Sequence, residues 1–138
     1  MQRLWEMPSE RRLLLVEASW CLARSSAAVA LLPFRRAVRV GGATAGPPVS
    51  GPAEAAQVAE VRSAVDSVAS RLPFRAKCFE RALAARLMLR RRGIGTILFY
   101  GARWEGAAMS AHVWLRSGET DVIGCENASD FHPLAQFA

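Results

Sequence analysis

Three cysteines and two histidines are the residues of this chain whose types suit nucleophilic chemistry. Cys78 falls at the predicted start of a helix, where the aligned peptide dipoles place partial positive charge. That charge favours the thiolate, the reactive form of cysteine. The first-turn N–H groups there can also hold a developing oxyanion, and Arg75 and Lys77 add positive charge just upstream. Against this stands the plain reading of Cys78 as a small buried residue, a common fate for cysteine. His112 falls on the first strand of a predicted hairpin. A histidine on a rigid strand can take a proton from a thiol on a facing helix and later return one to the leaving amine. A lone histidine is more often a core or surface residue, but His132 lies in an expected C-terminal loop beside Pro133, so His112 is the better partner for Cys78.

A cysteine–histidine pair needs a third group to accept the other ring N–H and fix the tautomer. Asp121, Glu119 and Glu126 are the candidates. A hairpin centred on Ser117-Gly118 brings His112 opposite the region from Val122 to Gly124, which makes Asp121 the nearest acid and Glu126 the second; a one-residue slip would exchange the faces. Cys125 follows a strand and lacks a helix dipole, so it reads as structural, as does Cys21. Before His112 comes a loop of mostly small residues, Gly106 to Ser110, beside which an extended peptide backbone can approach closely. Trp104, Ser110 and Ala111 are the candidate substrate contacts. Trp114 can line the same groove or pack in the core, the latter being the simpler use of a large ring. No CxxC or cysteine/histidine ligand spacing occurs, so neither a metal nor a cofactor is expected.

The elements that must position these residues are legible in outline. A helix should run from about Pro8 to Leu31, opened by proline and an acidic first turn and broken by Pro33. A short amphipathic piece, Phe34 to Val40, follows. Residues 41–52, GGATAGPPVSGP, read as a linker. Helical spacing returns from Ala53 to Arg71, with Val58, Val61, Val65 and Val68 on one stripe. A third helix fits Lys77 to Arg92, capped by Gly93, with Arg90, Arg91 and Arg92 complementing its negative end. Strands are expected at Thr96–Tyr100, Ala111–Arg116 and Thr120–Gly124. Helices followed by an antiparallel sheet make an α+β fold.

The 138 residues suit one domain: a helical part over 1–40, the linker over 41–52 and a catalytic core over 53–138. The odd cysteine count fits free thiols in a reducing cytoplasm. Glu17 and Arg24 interrupt the apolar run from Leu13 to Leu32, which argues against a membrane span. The net charge is +6, and Lys77 is the only lysine among eighteen basic residues. With no nucleic-acid motif present, that charge reads as a solvated basic face.

The segment KCFERALAARLMLRRRGI, followed by SAHVWL and DVIGCE, resembles the transglutaminase-like superfamily and, within it, the leader peptidases of lasso-peptide biosynthesis. MPSERRLLLVEA and LLPFRR also resemble that family's helical entry region, so the similarity spans nearly the whole chain. It implies a transglutaminase-like, papain-like core in which the N-terminal helices and the cysteine helix pack on an antiparallel sheet. It implies a cysteine peptidase that separates leader from core in a lasso-peptide precursor, with Cys78 as nucleophile and His112 as base. The third residue, an Asp in typical relatives, has no clear counterpart in VIGCE, so Asp121 and Glu126 both stand. The implied partners are the precursor peptide, a separate leader-binding protein and a macrolactam-forming cyclase. The alternatives are a non-catalytic peptide-binding module, or another acyl-transfer enzyme of the same fold.

Overall fold

In a computed structural model, which describes residues 8–40, 46–71 and 78–138, four α-helices cover one face of a four-stranded antiparallel sheet. The helices are α1 (Ser9–Leu31), α2 (Phe34–Val40), α3 (Pro52–Ala69) and α4 (Cys78–Arg91); the strands are β1 (Ile97–Glu105), β2 (Ala108–Ser117), β3 (Thr120–Ile123) and β4 (His132–Phe137). The spatial order is β3-β2-β1-β4.

Local chemistry sets the helix ends. Pro8 precedes α1, and extended Leu32 followed by Pro33 closes it. Pro52 opens α3, where the Glu54 carboxylate reaches back to accept the Ser50 backbone N–H at 3.0 Å. At the end of α4, Gly93 adopts φ 72°. The Gly93 N–H donates to Arg90 O and the Ile94 N–H to Leu89 O, each at 3.0 Å, the double bond pattern that a left-handed residue permits. The linker is irregular over 46–51 but tied down, since Gly95 N donates to Pro47 O at 2.8 Å. Buried Ser117 joins the same junction: its hydroxyl accepts from Val49 N and donates to Gly95 O. Residues 41–45 of the linker, and Arg75 and Lys77, lie outside the described residues.

The core forms between the helices and one sheet face. Leu22, Val61, Val65, Leu83, Met88 and Leu89 meet Leu98, Val113 and Leu115 there. Among the described residues helix α1 is the one element long and apolar enough, by length and composition, to cross a membrane; here a third of its most apolar stretch is buried where it packs against α3 and α4. Its charged Glu17 has a specific use. The carboxylate receives both terminal nitrogens of Arg92, at 3.0 and 2.8 Å, and Arg91 pairs with it at 3.3 Å, so two of the three arginines at the end of α4 clamp α1 rather than only complementing the helix end.

The Arg92 hydrogen bond, reinforced by the charges of Arg92 and Arg91, holds the Glu17 carboxyl below its ordinary range despite burial. Because the folded-state value is depressed, this stabilisation is complete above about pH 4.5, the unfolded value, and disappears as pH falls through the folded value. Glu17→Gln should therefore cost about 1.5–3 kcal/mol near pH 7. The gap in melting temperature from the parent should close on acidification below pH 4.5; an unchanged gap would mean that the clamp contributes through packing instead.

The sheet has four strands, within the three or four the sequence suggests, but β1 and β2 are longer than expected. Strand β1 continues past Tyr100 to Glu105 because it pairs throughout with β2, from Ile97↔Arg116 to Glu105↔Ala108. The stretch from Gly106 to Ser110 is thus not a loop: only Gly106 and Ala107 turn the chain, and β2 has begun by Ala108. The stretch containing His132 is also a strand. Pro133 is accommodated because β4 pairs on one side only, with β1. Strand β3 covers only Leu115–Ser117 of β2, so among the described residues no strand pairs with the outer edge of β2 over Ala108–Ala111.

Candidate active site

Helix α4 begins at Cys78 and β1 runs back along it. Phe34 touches both Phe79 and Tyr100, with ring centres 5.2 and 5.0 Å away, so Tyr100 lies level with the first turn of α4. The rest of the hairpin, Ala102–Glu105 and Ala108–Ala111, extends beyond that helix end. Half-buried Cys78 opens into a cavity of about 310 Å³ lined by Arg62, Asp66, Arg81, Ile123, Gly124 and Glu126. That volume is at the lower end for small-ligand sites.

The cavity wall is charged. Arg62 of α3 bonds Glu126, just past β3, and Asp66 sits 3.4 Å from Arg81. Sequence reasoning did not single out Arg62, Asp66 or Arg81. Their signal was present as helical spacing: Arg62 and Asp66 share one face of α3, and Arg81 follows Cys78 by one turn.

His112 reaches this wall through Gly124. Its Nε2 lies 2.7 Å from the Gly124 carbonyl oxygen. A carbonyl can only accept, so Nε2 carries the hydrogen and Nδ1 is left as the nitrogen with a free lone pair. Gly124 has φ 73°; a Cβ there would stand 2.9 Å from Val113 O and 3.4 Å from His112 Nε2. The residue is therefore fitted to the bond in both conformation and space. Among the described residues no hydrogen bond links Cys78 and His112 directly.

The imidazole leaves the sheet on the face opposite the helices. His112 and Trp114 alternate with Val113 and Leu115, which belong to the core. On that outer face His112 stacks near Trp114 at 5.8 Å and Phe131 at 4.9 Å, and Trp114 stacks on Phe99. Trp114 is buried and lies so close over Gly101 that a Cβ there would come within 2.8 Å of the indole. Arg103 covers Phe131 from 4.8 Å. The aromatic row holds the ring plane of His112, and Gly124 holds one of its nitrogens.

Neither candidate acid bonds His112 among the described residues. Exposed Asp121 pairs with Arg116 at 3.1 Å. Glu126 pairs with Arg62 and lines the Cys78 cavity. Removing Asp121 should thus change turnover less than about threefold, whereas Glu126→Ala, which opens the cavity wall, should cost about ten- to a hundredfold. Steady-state kcat of the two variants decides the order, and a larger loss for Asp121→Ala would reverse it.

Trp104, Ser110 and Ala111 lie on the projecting hairpin, in register with Met109, Arg103 and Ala102 respectively, and not in the Cys78 cavity. Trp104 is 72% exposed. The rival thiols are placed unfavourably. Burial pushes the thiols of both Cys21 and Cys125 up, and the Cys125 sulfur is also engaged at 3.2 Å with Leu115 O. A thiol at a helix start, a charged cavity and an imidazole with one N–H fixed are the components of acyl transfer through a thioester.

Residues 21–136 match the model of a family described as Transglutaminase-like superfamily. No curated protein and no solved structure matches the chain.

Proposed function

Since the chain belongs to the transglutaminase-like superfamily, we propose that it is a cysteine peptidase, and that its substrate is a lasso-peptide precursor cleaved between leader and core. The observation that carries this reading is the convergence on Gly124: it lines the cavity of Cys78 and its carbonyl orients His112.

In this mechanism the Cys78 proton passes to Nδ1 of His112; because the ring stands on the sheet face away from α4, against Trp114 and Phe131, substrate binding must first swing it past Gly124 toward the Cys78 cavity. The thiolate attacks the carbonyl carbon of the last leader residue, and first-turn N–H groups of α4 hold the oxyanion. The C–N bond breaks as His112 protonates the departing amine of the core peptide. Water, deprotonated by His112, then hydrolyses the thioester, releasing the leader and restoring the thiol. The scissile segment lies extended along the uncovered edge of β2, Ala108–Ala111, and main-chain pairing holds it. No metal or cofactor enters any step.

The precursor and two further proteins, a leader-binding protein and a macrolactam-forming cyclase, complete the system, and the cytoplasm is its setting. Tethering by the leader-binding protein raises the local concentration of substrate, so cleavage should accelerate about 10²–10⁴-fold on its addition. The assay is mass spectrometry of full-length precursor with and without that protein, at low and high salt. Equal rates in all four conditions would remove the tethering step. Absence of leader–core cleavage in every condition would overturn the assignment of substrate.

A further inference from the structure

On the side of the helical layer away from the sheet, α1 presents an apolar stripe that nothing among the described residues covers. Leu13, Val16, Trp20 and Leu31 recur along one helix face and are 69%, 65%, 69% and 81% exposed. Large apolar side chains in a row on a soluble surface mark a contact site more often than an accident, and tryptophan is the side chain that most often dominates such contacts.

The stripe does not lie flat. At its middle Trp20 forms one wall of a groove of about 450 Å³ between α1 and α4, with Leu87 and Cys21 inside and Arg24, Arg90 and Arg91 around it. We propose that this groove docks an acidic amphipathic segment of a partner protein, whose apolar side chain fills the space beside Trp20 while its carboxylates meet Arg24 and Arg90, Arg91 being already paired with Glu17 at 3.3 Å. The site is distinct from the Cys78 cavity and is independent of the cleavage chemistry.

Shape and charge select this occupant. A second copy of the chain would bring its own arginine rim against this one, and like charges juxtaposed at an interface cost several kcal/mol. An anionic bilayer answers the charge, but a lipid surface does not enter a concave groove as a single side chain does. An amphipathic acidic helix meets both demands, with anchors at helical spacing in an apolar groove and complementary charge at the rim.

The probe is a fluorescent synthetic helix with leucines on one face and glutamates on the other, titrated with the whole protein and followed by anisotropy. Saturable binding is expected, weakened at least about tenfold by Trp20→Ala and again by the double variant Arg24→Glu/Arg90→Glu. A peptide with lysines in place of the glutamates should not bind. All these positions are exposed, so circular dichroism and unassisted cleavage should match the parent. Failure of the acidic helix to bind would overturn the proposal. So would Trp20-dependent binding to phosphatidylcholine–phosphatidylglycerol vesicles in place of the peptide, or a Trp20-dependent dimer in sedimentation. Because the readout is binding, it stands or falls separately from the peptidase reading.

Discussion

On the proposed function, Cys78→Ala should abolish leader cleavage, a fall in kcat of at least about 10³-fold, while the circular dichroism spectrum and melting temperature should stay close to the parent's. The size follows from loss of the nucleophile: without the thioester the difficult step is no longer divided, and only binding and oxyanion stabilisation remain. The fold survives because Cys78 is half-buried, and alanine suits a first helical turn. Cys125→Ala serves as the matched control. It removes a thiol that burial holds protonated and that bonds the Leu115 and Ile123 carbonyls, so turnover should remain within about twofold and stability should fall by about 0.5–1.5 kcal/mol. Cleavage persisting in the Cys78 variant, or lost in the Cys125 variant, would move the nucleophile.

Gly124→Ala is the second variant with a large expected effect, and it touches no reacting atom. A methyl group at φ 73° would press on Val113 O and on the imidazole it should orient. The left-handed conformation alone costs a non-glycine residue about 1–2 kcal/mol. Relief of the contact must come from movement of the Gly124 carbonyl or of the His112 ring, and a displacement near 1 Å in a catalytic group can cost about a hundredfold in rate. The expected result is a folded protein about 1–3 kcal/mol less stable, with kcat reduced about ten- to a hundredfold and KM little changed. A shifted His112 ring resonance in the NMR spectrum should accompany it. Normal kcat with that resonance displaced would show that the Gly124 bond does not position a working base.

The helices were legible because their boundaries are local chemistry. Pro8, Pro33 and Gly93 act within a turn of themselves, and the observed ends lie within a residue or two of the expected ones. Strands depend on what lies beside them. Gly101, Arg103 and Glu105 interrupt the apolar run of β1, yet they pair because β2 extends equally far. Ala108 to Ser110 look loop-like by composition and are strand by register. Strand β4 carries a proline and mostly exposed side chains, a sequence only an edge position allows.

The site divides in the same way. Cys78, a side chain at a helix start, was recognisable as a candidate from type and position. The group on His112 Nε2 was not, because it is a main-chain carbonyl, and every residue carries one. The search for a carboxylate led to Asp121, which the β2–β3 register, with its shift between Leu115 and Arg116, places against Arg116 instead.

The shortness of β3 bears on how substrates of this site can diverge. Among the described residues it leaves β2 without a strand on its outer edge before Leu115, and over Ala108–Ala111 alternate residues turn their amides and carbonyls outward; those groups recognise backbone, which is the same in every peptide. Side chains of a strand laid there alternate between the two sheet faces and meet the small residues Ala108, Ser110 and Ala111 and one large side chain, exposed Met109. On the proposed function, a precursor held in this way would keep its hold through most changes of its side chains, which would leave the product peptide free to vary without matching changes in the enzyme.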